Sequence, residues 1–216
     1  MLLAHTPAGV RLYTPLLSVL YFSAGQTSMR ILGIDTGLAD TGYGIIDAAE
    51  SVCRVVEAGV ISTSANDSLE TRLCRIYEAL CAIIDEFQVE HIVVEDLYAE
   101  YPHPRTAIMM GHARGVVILA AAQRAVKVES YAASMVKKSL TGNGRASKDQ
   151  VLQMVVNALK LADPPSPDHV SDALALAICH ATPNRRGQAA GREPGIARGL
   201  PPAVADAITR ARGEAR

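Results

Sequence analysis

The chain has 216 residues, 49% of them hydrophobic, with 21 basic and 22 acidic side chains and a formal net charge of −1. That is enough apolar chain for a proper core, and the near-neutral balance gives no global sign of a nucleic-acid binder, so any basic face has to be local. The four cysteines, Cys53, Cys74, Cys81 and Cys179, have no CxxC or metal-ligand spacing; they read as core thiols of a reducing, cytoplasmic setting, which argues against a disulfide or structural zinc role.

Residues 1–28 contain the apolar run "LYTPLLSVLYFSAG" after a lone Arg11. The run is interrupted by Pro15 and is too short to span a membrane, so the segment reads as an N-terminal extension, disordered or a start-site artefact, rather than a secretory leader. The first strand follows over residues 30–35, and 42–48 and 52–61 continue it as an antiparallel meander. From Ser68 to Phe87, Leu69, Leu73, Ile76, Leu80, Ile83 and Ile84 recur at helical spacing. "HIVVED" is a short β-branched strand ending in acids, "YPHPR" breaks the chain, and "TAIMMGHARGVVILAAAQRA" reads as a long buried helix. "KVESY" is the fifth strand and "AASMVKKSL" a short helix. The loop "TGNGR" then leads to "SKDQVLQMVVNALKL", an amphipathic helix capped by Ser147. After the linker "PPSP", "DHVSDALALAICHA" is the last core helix. Ser166, Pro167 and Asp168 read as its N-cap, its first-turn proline and a dipole-stabilising acid. Past Pro183 the composition turns to Gly, Pro, Arg and Ala, the mark of a flexible tail. This order predicts an α/β domain over 29–182, a mixed five-stranded sheet flanked by helices.

Three acids then draw the eye to one end of that sheet. Asp35 ends the first strand, Glu95 ends the fourth, and Asp172 lies in the first turns of the last helix, with His169 three residues before it and Asp168 four before. If the first and fourth strands are neighbours and the last helix crosses their ends, Asp35, Glu95 and Asp172 converge. Acids gathered in a mostly apolar setting repel one another and call for divalent cations. Two Mg²⁺ ions about 4 Å apart make a clamp for in-line phosphodiester hydrolysis. Asp35 would bridge both ions, with Glu95 on one side and Asp172 and His169 on the other. Asp168 competes with His169 for the fourth place, but its helix-start position suits a capping role. An imidazole there favours Mn²⁺ as a supporting metal.

The segments "GIDTGLADTGYG", "IVVEDLY", "GHARGV", "VKKSLTGNGRASKDQV" and "DHVSDALALAICH" occur in the order and spacing of the RuvC family of Holliday-junction resolvases, which the chain resembles from Met29 to Ala181. The resemblance implies an RNase H-like fold, a homodimer and symmetric Mg²⁺-dependent nicking of four-way junction DNA, with a branch-migration helicase complex as partner. By motif position it implies Asp35, Glu95 and Asp172 as catalytic acids and His169 at a position where the family usually has Asp. The sequence departs from the family in "GIDTG" for "GIDPG" and in the loop after Glu95, which carries two prolines and one extra residue.

Local charge supports a DNA surface. From Arg105 to Lys148 there are eight basic residues against the single acid Glu129. Lys137, Lys138, Arg145 and Lys148 bracket the Gly-rich loop, whose backbone can approach phosphates closely. The resemblance implies Lys137 and Lys148 as phosphate contacts near the scissile bond. Arg114 in "GHARG" is either a DNA contact or a structural side chain. Tyr98, three residues past Glu95, is a candidate to stack on an unpaired base at the crossover, with Tyr101 as a substitute. Rival readings are an actin-like ATPase, for which the chain is too short, a junction-binding protein without cleavage, and a related nuclease of other branched nucleic acids.

Overall fold

The structure is a computed structural model, and it describes residues 10–12, 28–49, 52–97 and 104–182. Its strands are β1 (Val10–Leu12), β2 (Met29–Asp35), β3 (Asp40–Ala49), β4 (Val52–Ser62), β5 (His91–Glu95) and β6 (Lys127–Tyr131). Its helices are α1 (Leu69–Phe87), α2 (Pro104–Gln123), α3 (Ala133–Thr141), α4 (Lys148–Leu159) and α5 (Asp168–Ala181). They form one sheet in the order β1-β4-β3-β2-β5-β6. The meander β2-β3-β4 is antiparallel, whereas β2, β5 and β6 run parallel.

The five expected strands are all present. The sixth, β1, comes from the segment read as a disordered extension: Val10, Arg11 and Leu12 pair antiparallel with Ile61, Val60 and Gly59. The edge of β4 would otherwise present unpaired backbone groups, and even three residues of extended chain satisfy some of them. The remainder of the extension, the tail after Thr182, and the "YPHPR" loop as far as His103 lie outside the described residues, as do Tyr98 and Tyr101.

Side chains alternate across the sheet and divide the core in two. On one face Ile31, Ile46, Val60 and Val93 pack with Val136, Leu140, Val151, Val155, Val170 and Leu174 of α3, α4 and α5. On the other, Leu32, Ile34, Ile45, Ile92 and Val94 pack with Ile76, Leu80, Ile84, Ala113 and Val117 of α1 and α2. Helix α4 starts at the expected cap, where Ser147 and Gln150 form a reciprocal capping box, and the structure adds a Ser68 cap at the start of α1. Helix α5 differs from expectation. Pro167 is its N-cap residue and makes no side-chain cap bond, while Asp168 is the first helical residue.

Two burial expectations are corrected. Helix α2 buries Ala113, Val117, Ala120 and Ala121 but leaves Ile108 57%, Ile118 42% and Leu119 51% exposed. It is apolar all round, and one layer of sheet covers only one side of it. Cys74 is exposed on α1 and its thiol donates to Glu78, so it is no core thiol, whereas Cys81 and Cys179 are buried.

Candidate active site

The alternation that builds the core also aims the acids. Ile31, Gly33 and Asp35 fall on one face of β2, and His91, Val93 and Glu95 on one face of β5. Ile31 and Val93 belong to the core under α5, so Asp35 and Glu95 point to that same side. The parallel register pairs Ile34 with Val94, which brings Asp35 and Glu95 side by side at the two strand ends. The first condition of the sequence argument, that these strands be neighbours, is therefore met.

Helix α5 supplies the rest, and glycines let it come close. A Cβ on Gly33 would lie 1.9 Å from the Ala173 carbonyl oxygen, and one on Gly42 would lie 2.2 Å from the His169 carbonyl oxygen. On Gly44 it would meet the Leu174 side chain at 2.6 Å. None of these three glycines has a positive φ. Their role is to open a track for the helix backbone across β2 and β3, not to let the chain turn. Seated on that track, α5 places His169 Nδ1 2.7 Å from Asp35 Oδ2. Asp168, the competing residue, is exposed one position earlier, while its carbonyl accepts from Ser171 Oγ.

Burial and mutual repulsion mark the three acids as one electrostatic unit. The Glu95 carboxyl is held above its ordinary range first by burial, then by Asp35 and Asp172, with Lys137 opposing. Asp172 is also raised, chiefly by burial; Lys148 pulls it back and Asp35 pushes it up further. Lys148 Nζ is 3.4 Å from Asp172 Oδ2, and that carboxylate raises the ammonium pKa in return. A cleft of about 230 Å³ opens beside them, with Glu95, Lys137, Lys148 and Asp172 around apolar residues such as Val136, Val151 and Leu176.

The hard oxygen donors and one imidazole suit a divalent cation, and their mutual destabilisation is what a cation relieves. They are not drawn into one coordination sphere: among the described residues, no three His, Cys, Asp or Glu side chains stand close enough to hold one ion together. Asp35 is instead engaged by His169, and Asp172 by Lys148.

The basic candidates separate. Lys137 and Lys148 line the cleft, and Lys138 and Arg145 are exposed on α3 and the following loop, where Arg145 N donates to Asn143 Oδ1. Gly142 ends α3 at φ 78°, the left-handed conformation that glycine adopts freely. Arg114 is different. Its side chain is 14% exposed, Nη1 donates to the Glu95 carbonyl at 2.6 Å, and Nη2 donates to Ser130 Oγ at 2.7 Å. Of the two readings left open for it, this geometry is the structural one. Ser130, its second partner, carries no sequence signal beyond its place in a strand.

A family profile described as crossover junction endodeoxyribonuclease RuvC matches residues 31–180. A relative of that description from Caldicellulosiruptor saccharolyticus is 44% identical over 153 residues, 70% of this chain and 92% of its own. Another from Rhodopirellula baltica is 45% identical over 149 residues, 69% of this chain and 84% of its own. Among solved structures, Thermus thermophilus RuvC in complex with a Holliday junction substrate matches with TM-score 0.71 at 33% identity, over 74% of this chain and 98% of that one. A second Thermus thermophilus RuvC structure gives 0.69 at 33% identity, with the same coverage. The mixed sheet between helices expected from the sequence, RNase H-like in arrangement, is the fold these structures share.

Proposed function

Because this chain belongs to the RuvC family of crossover junction endodeoxyribonucleases, we propose that it resolves four-way DNA junctions by paired, symmetric nicking, with Asp35, Glu95, His169 and Asp172 as the catalytic set. The observation that carries this reading is the electrostatic unit at the ends of β2 and β5: Asp35, bonded by His169, acts on Glu95 and Asp172, and the latter two line a cleft with Lys137 and Lys148. All three acids are present, which disfavours a junction binder that has lost cleavage.

Asp35, Glu95, Asp172 and His169 would hold divalent cations, two Mg²⁺ per site with Mn²⁺ also effective; such ions lower the pKa of an attacking water and stabilise the departing 3′ oxygen. The chain's own groups do the rest. The imidazole of His169 fixes one oxygen of Asp35 and so limits its rotation. Lys148 beside Asp172, and Lys137 across the cleft, bring positive charge to where the phosphodiester lies. Lys138 and Arg145 extend that surface along the flanking DNA backbone. Tyr98 retains its proposed role of stacking on an unpaired base.

Two nicks on opposing strands need two active sites, and the exposed face of α2 suits a second copy. Ile108, Ile118 and Leu119 are uncovered there, and a Cβ on Gly111 or Gly115 would meet nothing within 4 Å. A homodimer through this face, acting on cytoplasmic DNA with a branch-migration helicase complex, completes the reading. Among the described residues no helix is long and apolar enough to cross a membrane.

The test is cleavage of a mobile synthetic four-way junction in Mg²⁺ or Mn²⁺, with linear duplex as control. Paired nicks on the junction alone, abolished in Asp35→Asn while the protein stays folded, are expected. Tight binding without nicks in either metal would refute the resolvase reading in favour of a binding protein.

A further inference from the structure

A buried arginine on α2 reaches the strand end that carries one catalytic acid. Arg114 rises from the inner face of the helix, next to Ala113, which is fully buried, and Val117, which is 1% exposed. Its guanidinium forks across two strands: one arm holds the Glu95 carbonyl at the end of β5, the other holds Ser130 Oγ on β6. Asp96 Oδ1 lies 3.9 Å from Nη2, and the Asp96 amide donates to the Tyr131 carbonyl at 2.9 Å in the last bond joining those strands.

Strand β6 is the edge of the sheet, so the end of β5 has the central strand β2 on one side and only a five-residue edge strand on the other. One side chain thus bonds the backbone at the end of β5 and a hydroxyl of the edge strand, and a planar bidentate guanidinium ties two acceptors at fixed spacing as no other side chain does. The geometry points to Arg114 as a positioning residue for Glu95, acting through the β5 backbone rather than on DNA. This rests on the resolvase reading above.

The experiment compares wild type with Arg114→Gln, Arg114→Lys and Ser130→Ala. Three quantities are measured: the single-turnover nicking rate with enzyme saturating a four-way junction, the junction Kd without divalent metal, and the melting temperature. Because a displacement of about 1 Å in a reacting group costs on the order of 100-fold, Arg114→Gln is expected to nick about 100-fold more slowly. Its junction Kd is expected to stay within about threefold of wild type, since no phosphate contact is lost. Arg114→Lys is expected to recover little, because an ammonium cannot span both acceptors. Ser130→Ala removes one arm and is expected to slow nicking several-fold at a melting temperature near that of wild type, which keeps the inference testable if Arg114→Gln fails to fold.

Nicking by Arg114→Gln at the wild-type rate, full rescue by lysine, a rate loss matched by an equal loss of junction affinity, or an unslowed Ser130→Ala would each overturn the inference. A wild type that binds but never nicks would instead overturn the resolvase reading beneath it.

Discussion

His169 Nδ1 lies 2.7 Å from Asp35 Oδ2, joining a helix start to a strand end across 134 positions of chain. A neutral imidazole whose Nδ1–H donates to this carboxylate offers its Nε2 lone pair to a metal, and imidazole nitrogen is a better donor to Mn²⁺ than to Mg²⁺. Wild-type cleavage is therefore expected to run faster in Mn²⁺ than in Mg²⁺. His169→Ala should slow the Mn²⁺ reaction about 10–100-fold, and His169→Asp should shift the preference toward Mg²⁺. Metal titrations of the junction-nicking rate decide this; equal or better wild-type rates in Mg²⁺ count against His169 as a ligand.

The acids carry a stability signature. Glu95 and Asp172 both have folded-state pKa values above their ordinary ones, chiefly through burial. The native state thus binds their protons more tightly than the unfolded chain does, so their contribution favours folding at low pH and is lost as pH rises through the raised values. At neutral pH, Glu95→Gln and Asp172→Asn are each expected to raise the melting temperature measured in EDTA and to abolish cleavage measured in Mg²⁺. A lower melting temperature in both would show that the carboxylates are not in electrostatic conflict.

Close approach of α5 depends on missing side chains. A Cβ at residue 42 would fall 2.2 Å from the His169 carbonyl oxygen and 2.7 Å from its Cβ. Gly42→Ala should cost about 1–3 kcal/mol, the range for overpacking a tight site. It should also reduce cleavage under conditions where the protein remains folded, because relief of the clash moves His169 away from Asp35. Denaturant midpoints together with nicking rates separate the two effects.

Lys148 is exposed and its contact with Asp172 is long, so it adds little to stability. Lys148→Gln should leave the melting temperature nearly unchanged. As a phosphate contact, its loss should weaken junction binding across all sequences and reduce the slope of log K against log salt by about one. An unchanged slope, read from fluorescence anisotropy at several salt concentrations, would remove Lys148 from the DNA surface.

The uncovered face of α2 predicts assembly. Leu119 is 51% exposed at the C-terminal end of the apolar strip that begins at Ile108. Leu119→Asp should convert a sedimenting dimer to monomer without unfolding it, and paired nicking should give way to slow single nicks. A monomeric wild type at micromolar concentration would defeat this.

Much of this protein is written locally. The continuous apolar runs in "RILGID" and "HIVVE" mark strands buried on both faces, and the pleat's period of two puts Asp35 on the face of Ile31 and Glu95 on that of Val93. The capping signals at Ser68 and Ser147 are equally local, since the bonds they make close within one turn. Motif order carried the family, and with it the expectation that Asp35, Glu95 and Asp172 act together. Other features needed the fold. The task of the glycines in β2 and β3 is not visible in sequence, and only the seated helix reveals them as its track. Arg114 reads equally as a DNA contact until its guanidinium is seen spanning two strand ends. Helix α2 reads as buried from its composition, yet Ile108, Ile118 and Leu119 are uncovered within the chain. The division has one physical cause: hydrogen bonds and periodicities act between near neighbours in sequence, whereas packing, repulsion between distant acids and shared surfaces exist only after the chain has brought remote residues together.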